Sequence, residues 1–179
     1  MNKIVNFYKA VAKGAARQSD WLLPTLARVV FAAVLLAYFW SSALTKLDGP
    51  FTPSIGGYAQ IFPKVFAAVG YDASQMGLWH WLVVMLGTYA EYVLPAFIVL
   101  GLFTRLAALG MVGFVVVQSL TDIYGHAAAA GAWFDRGSDA LILDQRSFWV
   151  LLLIVLIVQG AGPLSADRFL LRASSRLGS

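Results

Sequence analysis

The 179-residue chain has no cysteine. That excludes a disulfide, a thiolate metal site, an iron–sulfur cluster and a thiol nucleophile, so any redox chemistry has to come from a cofactor or a partner. Charge is scarce too: Asp, Glu, Lys and Arg make up 12% of the residues, about half the ~25% usual in a soluble domain. Histidine occurs only at positions 80 and 126, which is thin material for a metal site even with Asp122 added. No glycine-rich phosphate loop is present. The basic segments lack the interleaved aromatics of a nucleic-acid binder, which removes that class of partner.

What is abundant is apolar surface. Hydrophobic residues make up 60% of the chain and the mean hydropathy is +0.74, more than a soluble domain of this size can hide, so the medium is a bilayer. Leu22 to Leu44 and Leu78 to Phe103 are long enough to cross a ~30 Å hydrocarbon core at about 1.5 Å per residue. Leu106 to Leu120 and Phe148 to Gly160 are shorter; they suffice if the helices start at the Thr104 and Asp144 caps. The expected fold is an all-α bundle of four transmembrane helices, at about 22–44, 78–103, 105–124 and 145–160, forming one domain over 22–162. Gly101 and Thr104 read as the stop and start of a tight hairpin between the second and third helices. The first run resembles a secretory signal only superficially, because it is too long and contains Arg28.

Lys3, Lys9, Lys13, Arg17, Arg105, Arg168, Arg172 and Arg176 fall on one side of these helices, against Lys46, Lys64, Arg136 and Arg146 on the other. Both termini are therefore expected in the cytoplasm, with two long loops, about 33 and 25 residues, facing outward. Residues 1–21 and 163–179 space apolar and basic residues like short amphipathic helices lying on anionic headgroups. Ala33, Ala37, Ser41 and Thr45 form a row of small residues suited to close helix packing.

Ionisable residues at membrane depth are costly and mark candidate sites. The expected ligand-binding set is Arg28, Lys46, His80, Glu91, Gln118 and Asp122. Arg28 and Glu91 are expected to pair, as a register-fixing ion pair or as part of a ligand site. Lys46 lies five helical turns beyond Arg28 on the same face and is expected to snorkel at the helix end, as is Arg146 at the start of the fourth helix. His80, Gly87 and Glu91 share one face of the second helix; Gln118, Asp122 and His126 share one face of the third. Together these stripes predict a polar cleft opening outward, rimmed by Trp79, Trp81, Tyr124, Trp133 and Phe134, with the tryptophans also suited to anchoring at the membrane interface. No catalytic constellation and no resident metal site is expected.

Arg28, the segment Ala43-Leu44-Thr45-Lys46, the hairpin Gly101-Leu102-Phe103-Thr104-Arg105-Leu106-Ala107-Ala108 and the later Gly162-Pro163-Leu164-Ser165-Ala166-Asp167 together resemble the DoxX family of small bacterial four-helix membrane proteins. The resemblance implies a multi-pass protein of the bacterial inner membrane associated with redox work and stress responses. Two functional expectations follow. In the first, the cleft holds a quinone headgroup while a separate partner supplies electrons. In the second, the chain is a non-catalytic scaffold or maturation factor, alone or as a homo-oligomer, whose outer loops or cytoplasmic face hold a partner protein. Family membership does not choose between them.

Overall fold

The computed structural model describes residues 2–170, and the tail bearing Arg172 and Arg176 lies outside them. Four helical segments are long and apolar enough to span a membrane: Gln18–Leu44, Leu78–Leu100, Thr104–Gly125 and Leu141–Gln159. The first is built from α1 (Asn2–Phe31), one π-helical turn at Ala32–Leu36, and α2 (Ala37–Leu44). The N-terminal arm is thus not a separate surface helix but the start of the first spanning helix, continuous through Pro24. Between the first and second spans, a hairpin of β1 (Leu47–Gly49) and β2 (Thr52–Pro53) leads into short helices α3 (Ile55–Ile61) and α4 (Pro63–Ala68). The remaining spans are α5 (Leu78–Leu100), α6 (Thr104–Leu120) and α7 (Arg146–Gln159). Helix α6 is extended by a π-helical turn at Thr121–Gly125, and α7 is preceded by one at Leu141–Gln145.

The helices pack as a ring, with α1–α2 against α5, α5 against α6, α6 against α7, and α7 back on α1. The core face of the first helix is Ala27, Phe31, Leu35 and Phe39, an unbroken i, i+4 series. Ala107, Met111 and Val115 continue the same spacing on α6, and Ile98, Leu153 and Leu156 close the core from α5 and α7. The small-residue row at Ala33, Ala37 and Ser41 lies on the opposite side of the first helix, exposed to the outside of the bundle. It therefore makes no close contact within the chain.

At the end carrying the α5–α6 turn, charged side chains satisfy backbone groups. Gly101 ends α5 in the left-handed region at φ 70°, as expected, and α6 starts three residues later; Thr104 is its first residue rather than the expected cap, which is Phe103, with no side-chain cap hydrogen bond. The Arg28 guanidinium donates to the carbonyls of Ile98 (3.0 Å), Val99 (2.6 Å), Ala161 (3.0 Å) and Leu164. Two of those carbonyls lie in the last turn of α5, where helical C=O groups lack intrahelical partners and a cation is favourable. Asp167 does the converse at the start of α6, accepting from the N–H groups of Phe103 (2.7 Å) and Thr104 (3.1 Å). A Cβ at Gly101 would lie 2.6 Å from Ser165 Cβ and 2.9 Å from Arg28 Cζ, so only glycine lets the tail dock here.

At the other end, the segment after Lys46 folds down over the helix ends. Ser54 caps α3, accepting from Gly57 N–H at 2.9 Å and donating to the Thr45 carbonyl at 2.7 Å. A Cβ at Gly57 would meet the Lys46 carbonyl at 2.5 Å, which measures how closely α3 covers that lysine. Tyr58, Phe66 and Val84 form a small second core beneath α3 and α4. The Asp72 side chain accepts from Ser74 N–H at 2.9 Å and caps the turn at Ala73–Gln75.

Candidate functional site

A cavity of about 750 Å³ lies within the helix ring toward the loop end, between α2, α5, α6 and the start of α7, with α3 along one side. Most of its lining is apolar, supplied by residues such as Ile61, Leu94, Phe114 and Ile142. Its polar groups fall into two sets, each centred on an ion pair.

The first set joins α2 and α5. Lys46 Nζ lies 2.8 Å and 3.0 Å from the two carboxylate oxygens of Glu91 and also donates to Ser42 Oγ. The two side chains are 6% and 3% exposed. This overturns the expected Arg28–Glu91 pair, and side-chain direction gives the reason. Helical Cα–Cβ bonds tilt toward the helix N-terminus. Arg28 therefore leans toward the α5–α6 turn, away from Glu91, and reaches carbonyls seven and eight residues further along α5. Lys46, two residues past the end of α2, has its side chain turned back into the bundle, and Glu91, on an antiparallel helix, leans up to meet it. Covered by α3, Lys46 cannot snorkel as expected.

The second set joins α6 and α7. Arg146 Nη2 lies 2.6 Å from Asp122 Oδ2, and Arg146 Nη1 donates to Ser119 Oγ at 2.9 Å. The arginine side chain is 3% exposed, its guanidinium 5.8 Å from the Trp149 ring centroid. It too was expected at the surface. The fourth helix starts earlier than expected, because Asp144 accepts from Ala140 N–H (3.0 Å) and the added turn at Leu141–Gln145 carries Arg146 into the bundle. Gln118 donates to Tyr38 Oη at 3.0 Å. Two atoms on this side, Gln118 Oε1 and Arg146 Nε, are buried with no hydrogen-bond partner.

Four of the six expected ligand residues, Lys46, Glu91, Gln118 and Asp122, therefore line one cavity. Arg28 and His80 do not. His80 packs edge-on against Phe62, ring centroids 4.8 Å apart, with Nδ1 buried and unpartnered. His126 lines the cavity and its Nε2 lies 2.9 Å from the Gln60 carbonyl. Among the described residues no group of three or more His, Asp or Glu could hold a metal ion. None of the five aromatic residues expected at the rim lines the cavity; Trp81 and Trp133 instead donate to the carbonyls of Phe51 (3.1 Å) and Leu143 (2.9 Å). Polar lining residues absent from the expected ligand set include Arg146, Ser42, Tyr38, Gln60 and Thr121. The signal for Arg146 was its place on a run too short to span without the residues preceding it.

Between α5 and α6 the cavity opens sideways. Leu86, Gly110, Gly113 and Val117 line it and are exposed, and a Cβ added at Gly113 would meet nothing within 4 Å. The opening lies on spanning helices, so it faces the hydrocarbon rather than water.

These features define a multi-pass membrane protein, a ring of four helices around a largely apolar cavity that carries two ion pairs and has a lateral mouth. A family model, DoxX, matches residues 23–122. The chain belongs to the DoxX family. The match takes in Lys46, Glu91, Gln118 and Asp122 and stops short of Arg146. No curated protein and no solved structure matches the chain.

Proposed function

We propose that this chain is a quinone-binding subunit of the bacterial inner membrane, working with a separate electron-donating partner, with both termini in the cytoplasm. The observation that carries the reading is the cavity: about 750 Å³, within the ~300–1,000 Å³ usual for small-molecule sites, mostly apolar with a few convergent polar groups. A quinone ring fits this chemistry, since it has a flat apolar body and polar oxygens, and its isoprenoid tail suits a mouth that opens into lipid. Two buried polar atoms without partners, Gln118 Oε1 and Arg146 Nε, belong to residues that line the cavity. When bound, a quinone supplies the two-electron chemistry that a chain without cysteine lacks; the residues here hold and orient it.

The test is direct binding. Protein extracted in mild detergent is expected to carry ubiquinone or menaquinone, or to bind an added short-chain quinone. Gly113→Leu adds a side chain in open space and is expected to leave thermal stability unchanged while weakening binding at least tenfold. A chain that neither carries nor binds a quinone would overturn the reading and leave the scaffold role as the alternative. Unchanged binding by Gly113→Leu would remove the cavity as the site.

A further inference from the structure

The two ion pairs that face the cavity are not equivalent. Lys46 has three N–H bonds and three acceptor contacts, to Ser42 Oγ and to both Glu91 oxygens, and both side chains are almost wholly covered. No N–H of Lys46 is left over for a ligand. The Arg146–Asp122 pair is half open. Asp122 lines the cavity, its side chain is 28% exposed, and among the described residues only its Oδ2 is engaged, which leaves Oδ1 without a hydrogen-bond partner. The two orphaned polar atoms, Arg146 Nε and Gln118 Oε1, belong to this wall as well, set just behind its surface. Both members of the pair are also placed by π-helical turns, Thr121–Gly125 carrying Asp122 and Leu141–Gln145 preceding Arg146. Such turns are rare and concentrate at functional sites.

Resting on the reading of the cavity as a quinone site, we infer that the ligand's polar head is received by the Asp122–Arg146–Gln118 wall, and that this wall selects the reduced, hydroxyl-bearing form. An ionised carboxylate only accepts hydrogen bonds. A quinol O–H donates to Asp122 Oδ1; a quinone carbonyl has no hydrogen to give and sets its own lone pairs against that oxygen. Arg146, whose Nη2 lies 2.6 Å from Oδ2, holds Asp122 in place, so it acts as a positioning residue. The Lys46–Glu91 pair fixes α2 on α5 and takes no part in the choice. A hydrogen bond to a charged group contributes about 1.5–3 kcal/mol, so the preference is expected to be at least tenfold. A tenfold preference for the two-electron reduced form raises the potential of the bound couple by about 30 mV, which favours the arrival of electrons from a donor.

The experiment compares binding of a short-chain ubiquinone and its quinol, under anaerobic conditions, to the full chain in detergent, read by tryptophan fluorescence and by native mass spectrometry. Wild type is expected to bind the quinol at least tenfold more tightly. Asp122→Asn, whose amide can donate as well as accept, is expected to bring the ratio near one, chiefly by tightening quinone. Equal affinity of wild type for the two forms overturns the inference while leaving the cavity reading intact, and needs no variant to fold. A ratio that survives in folded Asp122→Asn overturns it too. If neither form binds, the reading of the cavity falls and the inference with it.

Discussion

The two ends of the bundle use arginine in opposite ways. Arg28, at the α5–α6 turn, gives its N–H groups to four backbone carbonyls from two separate segments. Arg146, at the loop end, meets a carboxylate and a hydroxyl with two of its five N–H bonds and keeps Nε buried without a partner. A guanidinium with four of its five N–H bonds on backbone carbonyls is a brace: it satisfies helix ends that would otherwise be unpaired and keeps little capacity for anything else. A guanidinium paired with a side chain and left incomplete is free to organise a ligand. Of the segments that carry the family resemblance, Arg28, the hairpin at 101–108 and the segment 162–167 lie at the braced end, and the segment 43–46 lies at the cavity end.

The hardest test of that contrast is Arg28→Ala. It strips partners from carbonyls of Ile98, Val99, Ala161 and Leu164 at once and is expected to lower stability by about 3–5 kcal/mol. The check is unfolding in mixed detergent micelles. Any folded fraction should keep the wild-type preference between quinol and quinone; a changed preference would break the division between the two ends. The next largest effect concerns the closed pair at the cavity. Lys46→Met leaves Glu91 buried without a counter-charge and is expected to cost roughly 3 kcal/mol or more, whereas Lys46→Met with Glu91→Leu should return close to wild type. Loss of ligand preference in a stable double variant would show that this pair belongs to the recognition wall after all.

The smallest effect sharpens the comparison through pH. Hydrogen bonds from the Ser74 hydroxyl, then the Gln75 amide, hold the Asp72 carboxyl below its ordinary range. A depressed folded value means that the stabilisation is present above the unfolded pKa of about 3.9 and is lost as pH falls through the folded value. Amide exchange at Ser74 is therefore expected to speed up in acid beyond its intrinsic pH dependence, and Asp72→Asn should remove that excess.

The bundle was legible because its signals are long-range averages. Four apolar runs, a glycine and a threonine at the hairpin, and a surplus of lysine and arginine on one side suffice to read helices and their order. Pairing was not legible, because it depends on which way each side chain leans and on what covers it. The depth of Arg28 and Glu91 along their helices was a fair guide to level, yet Cβ direction sent the arginine to α5 carbonyls, and Lys46 turned back into the bundle instead. The cover over Lys46 comes from a β-turn and two short helices that have no transmembrane signature. Arg146 was hidden for a related reason: a π-helical turn shifts the residues after it by a step that a 3.6-residue wheel does not anticipate.

The lateral mouth beside Gly110 and Gly113 has a consequence for what affinity means in this protein. A ligand that enters from the side is drawn from the membrane, where a molecule with a long apolar tail collects and from which little of it escapes to the surrounding water. Occupancy is then governed by the mole fraction of ligand in the bilayer, and partitioning into lipid supplies most of the apparent binding free energy that an aqueous titration would record. Only the polar wall needs to discriminate. A weak site by aqueous standards can remain filled in a membrane whose composition keeps it so, and the amount of lipid or detergent in the sample becomes a variable of the equilibrium itself.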